Sequence, residues 1–237
     1  LDENLNMWVQ LGDVIVGEAV EDWSGESTLA LSADGMRVLI GASRNEGSTA
    51  DTAGHVRVFE YFAPADYWYQ LGADIDGEAP MDFSGISGAI SNEGHIIAVG
   101  AHLNDGNGLD AGHVRVFKFD GSGWVQLGDD IDGGFVDNQF GSMIALSGNG
   151  LFLAVASSIA TDTILDFPLM SRNFSSPTIQ PPSHAQPYVK LFRFNDVGAN
   201  WMPMEITIDF DSRNEVVIQS ISSNDNGTEI AVAFFTK

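Results

Sequence analysis

The 237-residue sequence contains no cysteine and little positive charge: ten Lys and Arg stand against 33 Asp and Glu, a formal charge of −23. Without cysteine there is no disulfide framework, no thiolate zinc site and no cysteine nucleophile. The scarcity of bases argues against nucleic acid and anionic lipid surfaces as partners, because phosphate repels a polyanion. Cations and basic partners are favoured instead. No apolar run approaches the ~18–20 residues of a membrane-spanning helix, and no helical period is sustained. The chain opens Leu1-Asp2-Glu3-Asn4, without a starting Met or a basic leader, and reads as a processed or excised piece. Its length suits one core or one repeat ring and excludes a large multidomain enzyme.

What the sequence does contain is a repeat. Trp8-Val9-Gln10-Leu11-Gly12 returns as Trp68-Tyr69-Gln70-Leu71-Gly72 and Trp124-Val125-Gln126-Leu127-Gly128, with a worn copy at Trp201-Met202-Pro203-Met204-Glu205. Gly54-His55-Val56-Arg57-Val58-Phe59 returns as Gly112-His113-Val114-Arg115-Val116-Phe117, then as Pro187-Tyr188-Val189-Lys190-Leu191-Phe192. A third block, two apolar segments around a tight turn, appears four times, with tips Asp34-Gly35, Glu93-Gly94, Asn149-Gly150 and Asn226-Gly227. Such tips supply the positive φ angles of a two-residue hairpin.

Each unit therefore holds four short strands, β-branched and apolar in the middle two, in about 55–60 residues. That period predicts an all-β protein, a β-propeller of four-stranded antiparallel blades. A stacked β-solenoid is the alternative, and usually has a shorter repeat. The expected layout is a single propeller segment over 1–237: a lone outer strand in 1–12, blades at 13–72, 73–128 and 129–205, and a partial blade at 206–237. The third blade carries a long Pro- and Phe-containing loop, 158–186. Three complete blades plus partial ones point to a segment of a larger propeller.

These motifs resemble FG-GAP repeats, the blades of integrin α-chain propellers. The match is clearest at Phe140-Gly141-Ser142 and at Gly100-Ala101-His102, and the Gly-His-Val-Arg-Val-Phe and Trp-x-Gln-Leu-Gly strands are similar to versions in secreted and cell-surface proteins of marine algae. The resemblance implies an extracellular or cell-surface location. Ser24 and Ser84 replace Phe before Gly25 and Gly85, and the family's acidic calcium loop between the first two strands is absent. Calcium ligands therefore do not carry over to those hairpins.

Up-and-down strands send the loops after strands two and four to one rim. Negative charge gathers there: Asp13, Glu18, Glu21 and Asp22; Asp74, Asp76, Glu78 and Asp82; Asp129, Asp130, Asp132 and Asp137. Such a rim could bind a cation or a basic partner, or simply keep an edge-rich protein soluble. Asp105, Asn107 and Asp110 make an incomplete calcium-loop pattern, with Leu109 at a ligand position. No cofactor is required, and calcium is the cation considered. His55 and His113 occupy equivalent positions, which suggests a structural hydrogen bond in each blade rather than metal binding. Asn173 and Asn226 begin glycosylation sequons.

No nucleophile elbow, phosphate loop or metalloprotease motif occurs. The expectation is a non-enzymatic extracellular propeller for protein interaction, adhesion or structural assembly, binding through its acidic loop face. Its partners would be a protein or glycan, copies of itself, or further blades of the same protein. The alternative is a carbohydrate-active propeller enzyme or lectin using rim carboxylates.

Overall fold

The computed structural model describes residues 7–46, 52–158, 187–209 and 216–236. Two features expected from the sequence, Asn173 and, Ser158 apart, the 158–186 loop, lie outside the described residues. Three antiparallel four-stranded sheets follow the repeat. The first is β1 (Leu29–Leu31), β2 (Arg37–Ala42), β3 (His55–Phe62) and β4 (Tyr67–Gln70), joined by the short β5 (Ile75–Asp76). The second is β6 (Ser87–Ile90), β7 (Ile96–Ala101), β8 (His113–Phe119) and β9 (Trp124–Gln126), with its own short β10 (Ile131–Asp132). The third is β11 (Phe140–Leu146), β12 (Phe152–Ser157), β13 (Tyr188–Asn195) and β14 (Asn200–Asp209). A hairpin, β15 (Val216–Ser223) with β16 (Ile230–Thr236), begins a fourth. No α-helix occurs among the described residues, and the propeller class expected from the repeat is the architecture observed.

The core lies between sheets, not within one. Leu39, Val56 and Val58 of the first blade pack against Ile97, Val99 and Phe117 of the second. Val114 and Val116 meet Phe140, Leu153, Val155 and Phe192 of the third. Ala154, Val189 and Leu191 of the third blade meet Ile221, Ile230 and Val232 of the terminal hairpin. Alternation explains the third strands: in His-Val-Arg-Val the valines face one neighbouring sheet, and His and Arg face the opposite way.

The fourth-strand motif ties one blade to the next. Trp68 Nε1 donates to the Leu11 carbonyl at 2.8 Å, Trp124 to Leu71 at 2.7 Å, and Trp201 to Leu127 at 2.9 Å. The glycine after each Leu makes room for that indole. Gly72 has φ +82°, and a Cβ there would lie 2.9 Å from Trp124 Cδ1. The glutamine reaches forward, Gln70 to Asp74 at 2.6 Å and Gln126 to Asp130 at 2.7 Å. Every residue of Trp-x-Gln-Leu-Gly except x thus has a job.

Two expectations change in detail. Residues 8–11, the first copy of the motif, form no strand, and Trp8 is 85% exposed. The Asp-Ile-Asp segments read as loop rejoin the sheet: Val56 pairs with Ile75 and Val114 with Ile131. Burial of those two isoleucines supplies the reason.

Removing a latch should cost stability only where a latch exists. Trp124→Phe is expected to destabilise by roughly 1–2 kcal/mol through the lost hydrogen bond, and Gly72→Ala by about 1–3 kcal/mol through overpacking and backbone strain. Trp8→Phe should stay within about 0.5 kcal/mol. Urea midpoints of the three variants would check this, and equal losses at Trp8 and Trp124 would refute the latch.

Candidate functional site

The rim is built twice from the same parts. The segment entering a blade supplies a glutamate, the start of the third strand a histidine, and the break in the fourth strand an aspartate. In the first copy Glu18, His55 and Asp74 bring ligand-type atoms within 4.8 Å of one another, and in the second Glu78, His113 and Asp130 do so. Each histidine is 1% exposed, while the carboxylates stand at the surface.

Among the described residues, the hydrogen bond expected of these histidines within the blade is not found. His55 Nδ1 lies 3.9 Å from both Glu18 and Asp74, and His113 Nδ1 lies 3.8 Å from Glu78, too far for a hydrogen bond. Burial pulls both imidazoles below the ordinary histidine range, His113 to about 4. The arginine two residues on points the same way: Arg57 lies 3.4 Å from Glu18, and Arg115 3.5 Å from Glu78. Backbone carbonyls hold both guanidinium groups, Val16 at 3.1 Å and Asp76 at 2.6 Å. Burial raises the Glu78 carboxyl, against the pull of Arg115, and raises Asp132 as well.

The other acidic residues divide into groups with different roles. Asp22 and Asp82 are buried and structural: each accepts from a backbone N–H (Ala19 at 3.0 Å, Ala79 at 3.1 Å) and from an asparagine amide (Asn45 at 2.9 Å, Asn104 at 2.8 Å). Asp13 is exposed, and Asp137 occupies a left-handed turn position with φ 58°. In the Asp105–Asp110 loop, Asp105 Oδ1 accepts from the Asp110 N–H at 2.8 Å and Asn107 Nδ2 donates to Gly133 O at 2.6 Å. These bonds close the turn. Asn226 sits exposed at its hairpin tip, accepting from Thr228 Oγ1 at 2.7 Å.

Beside the second cluster a shallow cleft of about 440 Å³ is lined by Glu78, Gln126, Gly128, Asp129, Asp130 and Asp132. Asn200 Nδ2 holds Asp129 at 2.6 Å, so its walls are positioned by hydrogen bonds from two strands. A depression of about 500 Å³ lies on the opposite, hairpin face between Arg37, Glu60 and Asn92. Its cation is already engaged, with Arg37 2.8 Å from Glu60 and 3.2 Å from the Gly94 carbonyl. That hairpin face joins blades, and the rim is the face with open acceptors.

No protein-family model matches the sequence, and no curated protein matches it. Similar solved structures include hydrazine synthase of Kuenenia stuttgartiensis (TM-score 0.49, 10% identity, covering 87% of this chain and 42% of that one). A second, described as a 6-phosphogluconolactonase of Bacteroides fragilis, has TM-score 0.49 and 12% identity, covering 87% and 46%. A third, the periplasmic gluconolactonase of Pseudomonas aeruginosa, has TM-score 0.40 and 11% identity, covering 88% and 64%. The chain spans less than two thirds of the length of each. Likeness of this degree concerns the fold alone. Two of the three carry lactonase names. The expectation of a purely non-enzymatic adhesion or assembly module is corrected on that ground, and the exclusion of enzyme activity goes with it. Among the described residues no helix is long and apolar enough to cross a membrane.

One group away from the cleft makes a pH test. His102 Nδ1 is buried without a hydrogen bond, its ring set edge-on to Phe83, and burial lowers its pKa to about 4. Between about 4 and 6.5 the unfolded chain binds this proton more tightly, so stability should fall as pH drops through that window, by up to about 3 kcal/mol. His102→Ser, the residue that the first blade has at Ser43, should flatten the fall. Denaturant midpoints at pH 7 and pH 4.5 that shift equally in parent and variant would refute the assignment.

Proposed function

We propose that this chain is a carbohydrate-active propeller that takes a neutral sugar or sugar derivative in the acidic rim cleft of its second blade. The observation that supports it is the lining of that cleft: four carboxylates and one amide, with Asp129 and Asp130 held in place by hydrogen bonds. Sugar hydroxyls are donors, and carboxylates are acceptors with up to four lone-pair sites each. A volume of about 440 Å³ lies within the range of small-ligand sites. Paired carboxylates are also the groups that acid–base cleavage at a sugar carbon uses.

Charge narrows the substrate class. A rim of carboxylates on a chain of formal charge −23 repels phosphorylated sugars and uronates. Neutral glycosides, oligosaccharides and lactones are the compatible ligands. The same reading puts the protein outside the cell or at its surface, in keeping with the FG-GAP-like repeats and with Asn226 at an exposed hairpin tip.

A panel of neutral and anionic oligosaccharides and lactones tests this by calorimetry and by product release. Neutral members should bind at least about 10-fold more tightly than their phosphorylated counterparts, a difference of roughly 1.4 kcal/mol. The Asp129→Asn/Asp132→Asn double variant should weaken that binding by a similar factor. Tight binding without turnover would reduce the reading to a lectin. Preference for the anionic members, or no interaction with any neutral one, would end it.

A further inference from the structure

We infer that the rim carries two equivalent sites for a divalent transition-metal ion, Glu18–His55–Asp74 and Glu78–His113–Asp130, independently of any sugar. In each group the three donor atoms lie within 4.8 Å of one another. Exposed carboxylates alone would mean little. The second observation is the histidine: its side chain is 2% exposed, and Nδ1 faces carboxylate oxygens, of Glu18 and Asp74 at 3.9 Å for His55 and of Glu78 at 3.8 Å for His113. That separation is too long for a hydrogen bond. Two ligand atoms that each stand ~2.0–2.2 Å from a shared tetrahedral ion are roughly 3.3–3.6 Å apart, so the exposed carboxylates need to close on the histidine by only a few tenths of an ångström, roughly, to hold one. The chain places this histidine between the same two carboxylates twice.

The repeat supplies a third observation. In the third unit Tyr188 replaces the histidine and Gly134 replaces the glutamate, so both are lost together. There the tyrosine hydroxyl contacts Asn138 Oδ1 at 2.6 Å, an internal partner that the two histidines lack. Glutamate and histidine thus occur as a set.

The donor set indicates the ion. An imidazole nitrogen with two carboxylates suits zinc or manganese, whereas calcium takes oxygen ligands throughout. A neutral imidazole offers the ion a lone pair. The arginine takes one glutamate oxygen and leaves the other facing the histidine: Arg115 Nη1 approaches Glu78 Oε1, and His113 Nδ1 faces Oε2. Two carboxylates and the surrounding aspartates outweigh that guanidinium. Three protein donors leave coordination positions open to solvent or ligand.

Calorimetry and equilibrium dialysis of the metal-stripped protein with zinc, manganese and calcium chlorides test the inference. Zinc is expected to bind at two ions per chain at micromolar concentration, and calcium far more weakly. Asp74→Asn and Asp130→Asn, both at exposed positions and compatible with folding, should each remove one ion. Each should weaken its own site by more than the ~10–100-fold typical of losing an outer-shell partner. Cobalt(II) should show visible absorption bands that His113→Gln reduces by half, while Asp105→Asn leaves stoichiometry unchanged. No zinc uptake, zinc uptake unchanged in the Asp74→Asn/Asp130→Asn double variant, or calcium binding as tight as zinc would each overturn it.

Discussion

Face-to-face burial of one sheet against the next is the constraint from which the rest of this structure follows. A four-stranded blade with Val, Ile and Leu on both faces cannot cover itself, and the three largest cores here are each shared by two sheets. Sheets packed this way need a fixed register along the chain. The indole-to-carbonyl bond from each fourth strand to the one before it supplies that register, with a glycine kept free of side chain where the ring crosses.

The rim inherits this regularity. Because Gln70 and Gln126 hold the aspartate four residues on, the fourth strand breaks and then rejoins the third strand through Ile75 or Ile131. The break delivers Asp74 and Asp130 beside the histidine that starts the third strand. An acidic surface, a buried neutral imidazole and a braced arginine therefore come together as a by-product of blade geometry. Chemistry placed on such a rim is copied wherever the repeat is intact, and disappears where Tyr188 and Gly134 interrupt it.

Much of the architecture was legible because repeated residues report repeated contacts. The hairpin tips, the His-Val-Arg-Val-Phe strands and the blade count can be read from the sequence without coordinates. The acidic rim was legible too, since strand parity alone sends the loops to one side. Misread were the Asp-Ile-Asp segments, taken as loop although an apolar residue flanked by acids is the mark of a short edge strand. Asp22 and Asp82 looked like rim charges, yet they are buried acceptors that tie a loop to an asparagine. Their repeated partners Asn45 and Asn104 were the signal that could have shown it.

The sequence by itself determined the blades, because alternation, turn residues, a Trp-ended strand and a period longer than a solenoid's favour four-stranded sheets that bury one another. Only the tertiary structure decided which charges meet. Glu78, His113 and Asp130 are 35 and 17 residues apart in order, and no spacing rule for metal or acid–base motifs links them. Their proximity depends on sheet twist, on a strand break and on the packing that buries His113, none of which is a local property of the chain. That is why the histidines read as structural in the sequence and as open donors in the fold.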